Sequence, residues 1–532
     1  MLTAFQDLQT GLRDHPFLLL PICTAIWVLY AACRSKYSVE SLPVPPGASW
    51  IFGHEGEVVK NAPGRIFREW ADKLGLTYRI KAAFGARDVL VLCDPAGIAH
   101  ILQKKVYDYH HSRVVRPRIG RLLGKGLGWV EGEVEHKRMR HLISPSLSHE
   151  NMKEMESDVR VAAMQVIDNF THEVHASNNK KWVNLFDVTG KATLTIIGRV
   201  AFLHDFEGGE SEDARKILEA RRIGVSPAIK SSSLIMFMLL RRFPILNDLP
   251  IPALQVQGLA REIIQSGVAH EMIRRNEDVV EGVDPKSHND LLSRLLIAHS
   301  AGQISTEELY AQISTFIITG NETSTQTLAF MIWELARHPD VQERLRKELK
   351  AFPGEPNYDD FQAKLPYLDA VMRESLRLYP GLPYMERVAT KEDVIPLREP
   401  VKLSNGKVVS ELPISPGQVV LIPILSFQRM DSVYEDGETF RPERWLDGSV
   451  DTSTRQFSGW GHMLAFSDGP RNCIGTRLGL LQMKVILTYM MERFRFVDTH
   501  EDVTFKISSS LQAWVADKPE LGPCLPVRVE LL

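Results

Sequence analysis

The chain has 532 residues, 44 % of them hydrophobic and 24 % charged, with a net charge of −3. That is the balance of an ordinary globular protein with enough apolar material for a large core, and room for about three domains. The near-neutral charge argues against nucleic acid as a partner; five scattered cysteines with no CxxC pair exclude a disulfide framework, a zinc site and an iron–sulfur cluster.

The chain opens with a membrane-type segment. Pro16 to Cys33 carries no charge and is flanked by Arg13 and Asp14 before and Arg34 and Lys36 after. As a helix it spans about 27 Å, close to the ~30 Å hydrocarbon core. A cleaved signal peptide has a shorter apolar stretch and its basic residues on the other side, so an uncleaved transmembrane helix is expected at 16–33, with residues 1–15 lumenal and the bulk of the chain cytosolic. Residues 34–47, ending in Leu42-Pro43-Val44-Pro45-Pro46-Gly47, read as a stiff Pro-rich hinge. Residues 48–532 then form one catalytic domain.

That domain is mainly helical with a small β-domain. Helical periodicity marks Asn151–Phe170, Pro252–Asn276 and Ser305–Arg337. Strand-like stretches lie at Leu76–Phe84, Val89–Leu92, Val408–Val409 and Val419–Pro423. The polar Asn276–Asn289 reads as an exposed loop. Leu234 to Leu240 is an apolar run closed by Arg241 and Arg242, equally suited to a buried helix turn or to dipping into a bilayer.

The helix from Ser305 opens with a capping box, Ser305-x-x-Glu308. Within it stands Thr319-Gly320-Asn321-Glu322-Thr323-Ser324. Mid-helix glycine costs about 1 kcal/mol against alanine, and Thr323 and Ser324 loosen the turn by bonding back to carbonyls. An acid and an alcohol in a loosened groove suit proton delivery, which makes Gly320, Glu322 and Thr323 the catalytic candidates. Near the C-terminus, Phe466-Ser467-Asp468-Gly469-Pro470-Arg471-Asn472-Cys473-Ile474-Gly475 is a glycine-punctuated loop ahead of an apolar helix beginning near Thr476. Amide donors and the positive helix end stabilise a thiolate at Cys473.

This loop resembles the haem-binding loop of the cytochrome P-450 family, FxxGxRxCxG, with Phe466, Gly469, Arg471, Cys473 and Gly475 filling its five positions. Glu374-Ser375-Leu376-Arg377 is similar to the family's ExxR, and Arg387 follows in the expected place. Phe440-Arg441-Pro442-Glu443-Arg444-Trp445 resembles its PERF segment, with Trp for the last Phe. The resemblance makes Glu374, Arg377 and Arg444 a structural triad. His136 and Arg140, four apart on Glu135–Arg140, look like the propionate helix of microsomal fungal members. The oxygen-helix pattern [AG]Gx[DE]T is met except at Thr319, where Ala or Gly is usual; the added bulk and hydroxyl put ordinary hydroxylation in doubt.

The resemblance implies the P-450 fold and a haem (heme b) whose iron takes Cys473 as axial thiolate, so that Cys473 is the expected metal ligand. Phe466 would shield the sulfur, while Arg471, His136, Arg140 and Arg387 would hold the haem carboxylates. It also implies a monooxygenase using O2 and NADPH-derived electrons delivered by a separate NADPH–cytochrome P-450 reductase, in the endoplasmic reticulum membrane. The substrate expected is a lipophilic small molecule, foremost a terpenoid in fungal secondary metabolism. Pocket candidates are Val114 to Leu127, Thr315, Leu382, Tyr384 and Ser509 to Leu511. Open alternatives are a coupling, desaturating or isomerising haem-thiolate enzyme, a steroid or fatty-acid hydroxylase, and a non-catalytic haem sensor.

Overall fold

The computed structural model describes residues 39–224, 227–276, 290–450 and 457–532, with the side chains of 227–234 left aside. The expected transmembrane segment at 16–33, the residues before it, the first part of the hinge and the polar stretch beyond Asn276 lie outside these ranges. Among the described residues, no helix is long and apolar enough to cross a membrane.

Helices dominate. The principal ones are α1 (Val115–Leu122), α2 (Glu133–Ile143), α3 (His149–Ala176), α4 (Leu185–Phe202), α5 (Glu212–Gly224), α6 (Pro227–Arg242), α7 (Thr306–Arg337), α8 (Pro366–Leu378) and α9 (Thr476–Arg493). The capping box of α7 forms as expected: Ser305 Oγ accepts from the Glu308 amide and Glu308 Oε2 from the Ser305 amide. α7 runs through the main apolar core, and α4 crosses it closely. A Cβ built on Gly320 would lie 2.8 Å from Ile197 Cδ1, so this approach accounts for the mid-helix glycine. Where periodicity suggested one helix over Pro252–Asn276, the chain breaks into α, 3-10 and π turns.

A second apolar core sits in a five-stranded sheet of β1 (Thr77–Ile80), β2 (Val89–Leu92), β3 (Tyr109–His111), β4 (Met385–Ala389) and β5 (Val419–Ile422). Its order is β1-β2-β5-β4-β3; the β2–β5 pair is parallel and the others antiparallel. β2 is buried at all four positions, which suits its unbroken Val-Leu-Val-Leu run. The strand expected at Leu76–Phe84 stops at Ile80, giving way to a 3-10 turn at Ala83–Gly85. A hairpin of β6 (Val503–Ile507) and β7 (Leu511–Val515) reaches the cavity.

Two expectations change. The end of the hinge is not a free spacer. Leu42 is 1 % exposed, the Arg79 amide donates to Pro43 O at 3.0 Å, and Pro45 O is 2.8 Å from His54 Nε2, so the segment is pinned to the sheet. The apolar run in α6 divides between its two readings, with Met238 and Leu240 buried and Ile235 exposed. Arg241 does not reach outward; it is clamped between Glu55 (2.9 Å) and Glu386 (2.7 Å).

Candidate functional site

One large cavity, about 2140 Å³, opens where the helices meet the sheet. Cys473, Phe466 and Gly475 line one wall, and Thr319, Gly320, Glu322 and Thr323 of α7 also line it. His136, Arg140, Arg387 and Arg471 lie on the same cavity. Residues spread over more than 300 positions thus converge on one space.

The Cys473 loop is tightly built. The Cys473 amide donates to Phe466 O at 2.8 Å, and Gly475 is the N-cap of α9. Of the cysteines described, Cys93 and Cys524 are buried elsewhere, while Cys473 is open to the cavity. Enclosure by protein pushes its thiol pKa up; the Gly475 amide, the Thr476 hydroxyl and the Arg140 charge pull the other way. Gly469, expected to contact a cofactor, is absent from the cavity wall. Its φ is +67° and an added Cβ would lie 2.1 Å from Leu102 O, so it lets the loop pass the neighbouring turn.

Behind the loop, Glu374 accepts five hydrogen bonds. They come from Arg377 Nε (2.9 Å) and Nη2 (2.7 Å), the Arg441 amide (2.9 Å), Arg444 Nε (2.9 Å) and Trp445 Nε1 (2.9 Å). The tryptophan that departs from the sequence pattern therefore supplies an extra donor. None of this faces the cavity; the triad is structural.

Among the cations at the cavity edge, Arg387 and Arg471 share one acid, Glu131. Arg471 donates to Val130 O at 2.9 Å, while its buried Nε has no partner among the described residues. Arg140 donates to Asn472 O (2.8 Å) and Oδ1 (2.7 Å). Burial and the neighbouring Arg471 press the Arg387 pKa down to about 10. His136 falls to about 4, from burial first and then Arg471 and Arg140. The acid facing this group is Glu131, bonded to His111 at 2.7 Å and ion-paired with Arg471 at 3.4 Å. Tyr107, which no sequence pattern marked, places its hydroxyl 3.1 Å from His136 Nδ1.

On α7, Thr319 Oγ1 donates to Thr315 O (2.7 Å) and Thr323 Oγ1 to Thr319 O (3.1 Å). The unusual Thr319 hydroxyl is thus absorbed by its own helix. Glu322 accepts from Ser509 and Ser510 (3.0 Å for the latter) and faces Arg221 at 3.8 Å. Gln482 Nε2 of α9 bonds Ser324 Oγ at 2.6 Å and Gly320 O at 3.2 Å, tying the two walls together. Of the pocket candidates, Val114, Val115, Arg118, Ile119, residues 121–123, Leu127, Thr315, Leu382, Tyr384, Ser509 and Ser510 line the cavity, while Arg116, Pro117, Gly120 and residues 124–126 stand off it. Leu511 does not line it either; it is buried in β7.

The family model for cytochrome P450 matches residues 43–520. The chain belongs to the cytochrome P450 family. Cytochrome P450 monooxygenase claW of Ampulloclitocybe clavipes is 31 % identical over 90 % of each chain. The same fungus's claU is 30 % identical over 88 % of each, and cytochrome P450 monooxygenase 128 of Postia placenta 29 % over 92 % of each. This P450 is therefore a monooxygenase, an oxidoreductase that uses a haem with thiolate-ligated iron, O2, a redox partner and a small-molecule substrate. The cavity fits that group: one cysteine opens onto it, and at its edge stand cations with an orphaned Arg471 Nε that two carboxylates would satisfy.

Proposed function

We propose that this P450 is a membrane-anchored monooxygenase in which the thiolate of Cys473 would hold the haem iron. The observation that carries the reading is the opening of Cys473 onto the cavity that α7 lines with Glu322 and Thr323. When bound, the haem supplies reductive activation of O2, one atom going to substrate and the other to water. The remaining chemistry belongs to the chain. His136, Arg140, Arg387 and Arg471 would hold the haem carboxylates and orient the ring, and Phe466 would cover the sulfur. Thr323 Oγ1 now gives its proton to Thr319 O; turning away from that carbonyl, the hydroxyl donates into the cavity. Glu322 Oε1, held by two serine hydroxyls, is the site that takes a proton from outside and passes it inward. Gly320 contributes by its small size, keeping α4 and α7 close, and makes no chemical contact.

The proposed electron source is NADPH through cytochrome P450 reductase, and the location is the endoplasmic reticulum membrane with residues 48–532 in the cytosol. Exposed apolar side chains support a membrane-facing side: Trp50 (95 % exposed), Phe52, Ile235 and Ile245, on segments linked by the Phe52–Phe84 ring contact and by α6. The substrate proposed is lipophilic, a terpenoid of fungal secondary metabolism first; the apolar lining and the fungal relatives support this. Turnover of lipophilic candidates under ¹⁸O2 with added reductase tests the reading. Label in the product is expected, and turnover without label, or none in the presence of bound haem, would overturn it.

A further inference from the structure

A second cationic group lies on the cavity, apart from the four residues assigned to the haem carboxylates. It joins Arg118 of α1, Arg221 of α5 and Glu322 of α7. Arg221 is served: it donates to Asn321 Oδ1 and pairs with Glu322 at 3.8 Å. Glu322 is also occupied, by the hydroxyls of Ser509 and Ser510. Arg118 is different. Half-buried, it lines the cavity, and its buried Nε has no hydrogen-bond partner among the described residues. The acid whose charge reaches it is the same Glu322 that serves Arg221.

A buried guanidinium N–H with no acceptor is costly, and a chain ordinarily supplies a carbonyl or an acid. Arg241 on the same cavity also keeps unmet nitrogens, but it is ion-paired with two carboxylates, which Arg118 is not among the described residues. The cavity wall also carries Ile119 and Leu122 of the same helix and Phe316 and Ile318 of α7. A ligand suited to this corner has an apolar body and one negative group. The planar fork of the guanidinium matches a carboxylate. Arg121, one turn further along α1 and bonded to Gln257 and Asn247, adds a third guanidinium against the single carboxylate, so the corner is net cationic and suits an anionic group.

We infer that Arg118 is a specificity-determining residue that receives the carboxylate of a lipophilic carboxylic acid substrate. The inference rests on the monooxygenase reading above and names its substrate class, whether the apolar body is terpenoid or acyl.

The test uses the haem-loaded full chain, titrated with dodecanoic acid and its methyl ester and with abietic acid and its methyl ester. Binding is read by the haem absorbance shift and by equilibrium dialysis. At least one acid is expected to bind about tenfold or more tighter than its ester. Arg118→Gln and Arg118→Leu should abolish that preference while leaving ester affinity in place, and Arg118→Lys should keep part of it. Equal affinities, a preference for esters, no binding of either acid, or an acid preference that survives Arg118→Gln overturns the inference. The carbon monoxide spectrum, recorded on each variant, separates the two failures: a normal spectrum leaves the monooxygenase reading standing when the carboxylate assignment falls. Should Arg118→Leu fold poorly, the acid-to-ester ratio of the unaltered chain and the Arg118→Gln variant decide.

Discussion

Two clusters in this P450 share one composition, a glutamate with two arginines, and meet opposite fates. At Glu374, Arg377 and Arg444, every polar group has a partner. The carboxylate takes five donors, and the remaining guanidinium N–H groups go to carbonyls such as Gln428 O (2.8 Å) and Glu435 O (2.7 Å). At Glu322, Arg118 and Arg221, the carboxylate is divided between serines and one arginine, and Arg118 Nε is left over. Equal charge counts therefore say little. What separates a structural network from a binding corner is whether the fold itself supplies every acceptor, and whether the unmet donor lies beside a cavity.

Breaking the satisfied cluster should have the largest effect. Glu374→Ala strands two buried guanidiniums, and denaturant unfolding is expected to show a loss of about 3–5 kcal/mol or a chain that fails to fold. A third cationic group, at the haem-carboxylate edge, gives the next effect. His136 has a folded pKa of about 4 against 6.5 unfolded, so between those values the unfolded chain binds more protons. Stability of the haem-free protein should fall by about 2–3 kcal/mol as pH drops from 6.5 towards 4. His136→Gln should flatten that slope in unfolding curves at pH 7 and pH 4.5, and haem loading should flatten it too, because its carboxylates favour the charged ring.

Smaller changes sharpen the contrast. Trp445→Phe removes one of the five donors to Glu374, with an expected cost of about 1–2 kcal/mol in unfolding. Arg118→Leu should change stability by less than about 1 kcal/mol or improve it, since no acceptor is stranded. A loss of several kcal/mol there would make Arg118 structural.

Much of the site was readable because its parts are contiguous in the chain. The ten residues from Phe466 to Gly475 carry their own loop geometry, and Ser305 with Glu308 announces the start of α7, which forms at Thr306. Central strand β2 was equally plain, its burial on both faces matching an unbroken apolar run. What escaped was convergence between distant residues. Arg118, Arg221 and Glu322 come from three helices, and Tyr107 meets His136 across a turn; no periodicity marks such meetings. Gly320 and Gly469 were visible as glycines, but their reasons, Ile197 on one side and Leu102 O on the other, belong to packing. The Pro-rich segment misled because prolines report stiffness and not what the stiff chain lies against.

The most direct test of the account is the carbon monoxide difference spectrum of the reduced, haem-loaded protein beside its Cys473→His variant. If Cys473 binds the iron, the unaltered protein shows the long-wavelength Soret band of a thiolate-ligated haem, and the variant loses that band together with all turnover. A Soret band at the histidine-ligated position in the unaltered protein, or one unchanged by the substitution, would contradict it.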